Sequence, residues 1–156
     1  MQNDLQHELK QTTPFKSLLE EAFVALQRTA ALLEHALETE LKPSGITATQ
    51  YNVLRILRGA GQAGLCRSEV GERMVRRVPD VTRLLDRLED TGLIARARGG
   101  EDRRYVTTKI TARGLDALAA LDDVIARFVA HHMGRLGADQ VQSLVVLLSV
   151  LRRTDE

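Results

Sequence analysis

Apolar residues recur along this chain with two different periods, and the change from one to the other divides it into elements. Between residues 15 and 41, Leu19, Phe23, Leu26, Ala30, Leu33 and Leu37 follow a 4-3-4-3-4 spacing, which predicts one face of a long helix. Pro43 and Gly45 end it. Thr47 followed by Gln50 reads as a capping box, so a second helix is predicted over 47–58, burying Val53, Leu54 and Leu57. Gly59, Gly61 and Gly64 then interrupt the pattern.

Two short helical stretches follow, 66–74 and 79–91, separated by the four residues Val75 to Val78, which is helix-turn-helix spacing. Pro79 suits the first turn of the later helix and Gly92 a left-handed stop behind it. Val81, Leu84, Leu85 and Leu88 supply the buried stripe. Next, Leu93–Arg98 and Arg104–Ile110 are β-prone segments around a polar Gly99-Gly100-Glu101-Asp102 tip, which predicts a hairpin. Two strands alone are marginal, so they must lean on the helices.

Thr111 opens a long helix to about Met133, with Leu118, Leu121, Ile125 and Phe128 on one face; Gly134 and Gly137 break it before a last helix over 138–153. In that last helix Val141, Leu144–Leu148, Val150 and Leu151 are apolar on most of the circumference. Such a helix needs cover on several sides, from its own monomer or from a second subunit, and in a chain this short a second copy is the expected cover.

Composition narrows the class. Of the 156 residues 44% are hydrophobic but only 3% aromatic, without Trp, so burial rests on aliphatic side chains, which favours packed helices. No apolar run reaches the roughly 18 residues of a membrane span, and the first residues lack the order of a signal peptide, so a cytoplasmic protein without membrane contact is expected. Cys66 is the single cysteine, which fits a reducing compartment. The net charge of +1 is unevenly placed: residues 65–113 hold 12 Lys+Arg against 8 Asp+Glu, net +4, between mildly acidic flanks. A basic middle segment points to a polyanion partner.

In a helix-turn-helix the second helix enters the major groove with its N-terminal residues toward the bases. Those are Asp80, Thr82 and Arg83, with Arg87 one turn on. Arg83 and Arg87 share a face, and each offers the donor fork that reads guanine or clamps phosphate. Arg76 and Arg77 in the turn can hold phosphates. The competing reading of these arginines is a solvated ion pair, Arg83 with Asp86 or Arg87 with Glu89 or Asp90. Enzyme chemistry finds no support. His131 and His132 are adjacent and cannot share a helix face, His7 and His35 are isolated, and Gly59, Gly61 and Gly64 lack the strand and lysine of a phosphate loop, so neither metal nor cofactor is expected. A winged helix that binds protein is the other class, which the arginines argue against.

The run Val81-Thr82-Arg83-Leu84-Leu85-Asp86-Arg87-Leu88-Glu89-Asp90-Thr91-Gly92-Leu93-Ile94 resembles the recognition helix and first wing strand of the MarR family of bacterial regulators. Asp102-Arg103-Arg104-Tyr105-Val106-Thr107-Thr108-Lys109-Ile110-Thr111, continued by Ala112-Arg113-Gly114, resembles that family's wing signature. The resemblance implies a mostly α, winged helix-turn-helix fold with long N- and C-terminal dimerisation helices and a two-stranded β wing. It also implies one domain over 1–156, in which 15–45 and 111–156 form the dimer region and 46–110 the DNA-binding lobe. Its function would be that of a homodimeric regulator, a repressor, on a pseudo-palindromic double-stranded operator. Arg104 would enter the minor groove, oriented by Asp102, while Arg103 contacts backbone. With Arg98 at the end of the first wing strand, these complete the candidate DNA-contacting set. A small-molecule effector, often aromatic or phenolic in this family, would bind between dimer region and DNA lobe.

Two positions depart from the family pattern. Thr108 stands where an aliphatic wing residue is usual. Cys66 stands where many members have a hydroxyl cap, with Glu69 three residues on. A thiol at a helix start can become reactive, or can simply be a small buried residue; peroxide sensors of this family carry their cysteine in the first helix, where this chain has none.

Overall fold

A computed structural model describes residues 4–98 and 106–153 of the chain, which divides into two compact units, up to Ala48 and from Thr49 onward.

The first unit is helical. A short α1 (Asp4–Glu8), absent from the sequence expectation, is tied to the long α2 (Leu18–Leu41) by an ion pair between Glu8 Oε1 and Arg28 Nε, 3.2 Å apart. Helix α2 starts three residues later than the apolar spacing implied, because Ser17 caps it: the Glu20 N–H donates to Ser17 Oγ at 3.2 Å. Glu20 and Glu21 in the first turn suit the positive end of the helix dipole. Its C-terminal end tightens into a 3-10 turn at Lys42–Ser44, where Pro43 sits, and Gly45 at φ 71° supplies the left-handed exit. Much of the apolar stripe meets solvent; Leu19 is 83% and Phe23 61% exposed.

The second unit carries the winged helix. Helix α3 (Ala48–Ala60) buries Tyr51, Val53, Leu54 and Leu57, and a 3-10 turn at Gly61–Ala63 leads to Gly64. There φ is +66°, and a Cβ would stand 2.6 Å from Thr107 Cγ2 and 2.7 Å from the Thr108 carbonyl oxygen. Only glycine fits both the backbone and the space. The close approach lets Leu65 form a one-residue bridge with Thr108, each N–H donating to the other's carbonyl at 3.0 and 2.8 Å.

Helices α4 (Arg67–Arg73) and α5 (Val81–Asp90) follow. Their connection is longer than the four residues expected, and Pro79 lies outside α5 rather than in its first turn. Asp80 is the cap: its Oδ1 accepts the Arg83 N–H at 2.9 Å. Helix α5 ends as expected, with Gly92 at φ 72°. The Gly92 N–H donates to Glu89 O at 2.8 Å and the Leu93 N–H to Leu88 O at 3.0 Å, the paired bonds of a Schellman stop.

Strands β1 (Ile94–Arg98) and β2 (Val106–Ile110) pair antiparallel, Ile94 opposite Ile110 and Arg96 opposite Thr108. Thr108, 1% exposed, is the buried polar residue of the strand pair. Helix α6 (Ala112–Met133) begins at Thr111, whose Oγ1 accepts the Gly114 N–H at 3.0 Å and donates to Gly92 O at 2.7 Å. One hydroxyl therefore caps α6 and fastens it to the end of α5. Val70, Met74, Leu85, Leu88, Ile94, Leu118 and Leu121 are buried in this unit. Helix α7 (Ala138–Arg152) buries none of its residues; Leu147 is 62% and Leu151 69% exposed. Val141, Leu144 and Leu148 of the same helix are half-buried. The mostly helical winged helix-turn-helix with a two-stranded sheet is the expected architecture.

Candidate nucleic-acid interface

The recognition element is set from below by α3 and α4. Asn52 Oδ1 on α3 accepts the Val75 N–H at 3.0 Å, which fixes the start of the turn, and Glu69 Oε2 accepts the Cys66 N–H at 2.7 Å at the head of α4. Arg67 Nη1 donates to Thr82 Oγ1 at 3.0 Å, joining the first turns of α4 and α5. Leu85 and Leu88 anchor the inner face of α5, and the 3.6-residue period then turns Thr82, Arg83 and Arg87 outward, where all three are exposed. Arg76 and Arg77 are exposed in the turn. Asp80 is exposed too, with its carboxylate engaged in capping. Cys66 is half-buried rather than buried. Its Sγ lies 3.0 Å from Ser68 Oγ, beside a cavity of about 450 Å³ that Arg67, Thr82, Leu85 and Arg96 also line.

The ion pairs weighed for Arg83 and Arg87 do not form. Asp86 and Glu89 turn instead to Arg96 on β1: its Nη2 lies 2.6 Å from Asp86 Oδ1, its Nε donates to Glu89 Oε2 at 2.8 Å, and its own backbone N–H donates to Glu89 Oε1 at 3.0 Å. Hydrogen bonds from Arg96 hold the Glu89 carboxyl below its usual range, and the bond to Glu89, with a smaller share from Asp86, raises the Arg96 guanidinium further. Among the described residues Arg83 and Arg87 make no ion pair.

Thus α5 brings Thr82, Arg83 and Arg87 to one surface, with the turn arginines beside it. The Arg98 backbone ends β1 opposite Val106; its side chain, and Asp102, Arg103 and Arg104, lie outside the described residues. Sequence reasoning missed Arg67 and Arg96. A signal existed for Arg96: in Ile94-Ala95-Arg96 the period of two places it in phase with buried Ile94, and an arginine on the inward phase of a strand needs a carboxylate partner.

The MarR family model matches residues 46–106, the segment from just before α3 into the second wing strand. A MarR transcription factor from Planctomyces limnophilus is 34% identical in its crystal structure, with a TM-score of 0.68 over 88% of this chain and 99% of that one. The chain belongs to the MarR family. It is also 29% identical, over 72% of its length and 74% of the relative's, to the HTH-type transcriptional repressor MdtR of Bacillus subtilis (strain 168). The transcriptional repressor CouR, solved bound to a 23-mer DNA duplex, superposes with a TM-score of 0.78 at 26% identity, over 91% of this chain and all of CouR. These MarR-type relatives are transcription regulators and not enzymes. Among the described residues no helix is long and apolar enough to cross a membrane.

Proposed function

We propose that this MarR-family chain is a cytoplasmic, sequence-specific regulator that binds double-stranded DNA as a homodimer on a pseudo-palindromic operator and acts as a repressor. The observation that carries the reading is the outward face of α5: two arginines one turn apart, exposed and, among the described residues, without an ion pair, on a helix whose Asp86 and Glu89 are held by Arg96. An arginine with no internal partner meets base or phosphate without first breaking a bond. Arg83 reads a base edge and Arg87 lies beside it, Arg76 and Arg77 hold phosphates, Asp80 sets the start of the reading helix, and Thr82 stands at the same end. In the wing, Arg103 contacts backbone, Arg104, oriented by Asp102, enters the minor groove, and Arg98 completes the DNA-contacting set.

Residues 15–45 and 111–156 form the dimer region and 46–110 the DNA lobe of one domain. The exposed apolar side chains on α2 and α7 support this, since burying each is worth on the order of 1.5–3 kcal/mol. Family membership supports release by a small aromatic or phenolic effector. Selection of genomic fragments on the purified chain, followed by titration of the recovered duplex at two salt concentrations, tests the function. Affinity for one recovered sequence should fall steeply with salt and exceed that for scrambled duplex by about a thousandfold or more; equal affinity for both refutes a sequence-specific regulator.

A further inference from the structure

Three oxygens converge on Arg96. Its guanidinium spans from Asp86 to Glu89, one turn apart on α5, while its backbone N–H also donates to Glu89. The arrangement joins wing strand to recognition helix, but it also takes up Asp86 and Glu89, two of the three carboxylates of that helix, the third being Asp90 at its last position. Residues three apart on a helix are neighbours, so Asp86 is the natural intrahelical partner of Arg83, and Asp86 and Glu89 together would face an approaching phosphate chain with two negative charges. In the folded chain neither happens, because a third residue, brought in from β1, takes both carboxylates.

We propose that Arg96 is a positioning residue for DNA recognition: by engaging Asp86 together with Glu89 it keeps Arg83 unpaired and turned outward, without itself contacting DNA. The inference rests on the DNA-binding function above and adds the residue on which the readiness of Arg83 depends. An arginine is required because its fork serves two acceptors; a lysine at 96 keeps the charge but offers one point of contact.

The discriminating experiment compares Arg96→Ala, Arg96→Lys and the triple variant Arg96→Ala/Asp86→Asn/Glu89→Gln with the full-length wild-type chain on a matched and a mismatched duplex, over a series of salt concentrations. Arg96→Ala should lose about tenfold or more of matched affinity, show a smaller salt slope and discriminate less, since Asp86 then captures Arg83. Arg96→Lys, which covers the case of an alanine variant that does not fold, should move in the same direction. The triple variant has no carboxylate left to capture Arg83, so it should recover slope and discrimination even though the tie between strand and helix is still missing. Unchanged binding by both single variants overturns the proposal. So does a triple variant as weak as Arg96→Ala, which would make Arg96 merely structural. A wild-type chain with no salt-dependent preference for the matched duplex instead removes the DNA-binding reading beneath it.

Discussion

Gly114→Ala changes one hydrogen into a methyl group at the joint where wing, recognition helix and α6 meet. A Cβ at this position would stand 2.7 Å from Ile110 Cγ1 and overlap the Leu93 carbonyl oxygen. Carbon–carbon contacts relax near 3.5–4.0 Å, so Ile110 would have to retreat by about 0.8 Å or more, and the Leu93 backbone cannot yield as a flexible side chain would. Overpacking of this kind costs about 1–3 kcal/mol. The same displacement strains the bonds from the Gly114 N–H to Thr111 Oγ1 and from Thr111 Oγ1 to Gly92 O, and a lost cap adds about 0.5–2 kcal/mol. The greater helix propensity of alanine returns about 0.5–1 kcal/mol. A net loss of roughly 2–3 kcal/mol corresponds, for a chain of this size, to a fall in Tm of about 4–12 °C. Thermal unfolding followed by circular dichroism measures it; a Tm within 2 °C or so of wild type would refute the packing argument, since it corresponds to under about 1 kcal/mol.

Arg83→Ala should leave Tm nearly unchanged, because the side chain is exposed and unpaired, yet cost roughly 1–3 kcal/mol of matched-site binding with relaxed sequence preference; titration against matched and mismatched duplexes checks both parts. Asp102→Ala should behave as a milder Arg104→Ala, weakening binding despite removing a negative charge, and tighter binding in the same titrations would remove its orienting role. Glu89 has a carboxyl pKa lowered from its ordinary 4.5 by the Arg96 hydrogen bonds, so its contribution to stability is complete above that value and is lost as pH falls through the depressed one. Denaturant unfolding across pH 5 to about 3 should therefore show a smaller decline for Glu89→Gln than for wild type, and parallel curves would contradict the sign.

Local chemistry made most of the fold legible in the sequence. The Leu85–Leu88 stripe, the left-handed stop at Gly92, the Thr111 start of α6 and the strand alternation around the wing each act through neighbours within a few residues, and a single sequence displays those. What escaped depended on partners distant along the chain or on competition between adjacent signals. Pro79 and Asp80 both mark a helix start, and the carboxylate cap won because it satisfies the Arg83 N–H, which proline cannot do. Arg96 belongs to the candidate site only because the Schellman turn at Gly92 brings β1 back along α5, and charge spacing within the helix pointed to Arg83 and Arg87 as partners of Asp86 and Glu89 instead. Likewise, the apolar girth of α7 announced a need for cover without saying where it comes from; among the described residues none of the helix is fully buried.

The central claim is that two copies of this chain present two α5 helices to one duplex. Hydroxyl-radical footprinting on a fragment recovered by genomic selection tests it most directly. The account predicts protection symmetric about a two-fold axis, with major-groove contacts centred about one helical turn, on the order of 10 bp, apart, and flanking minor-groove protection where the wings reach. Protection of a single asymmetric half-site would contradict it.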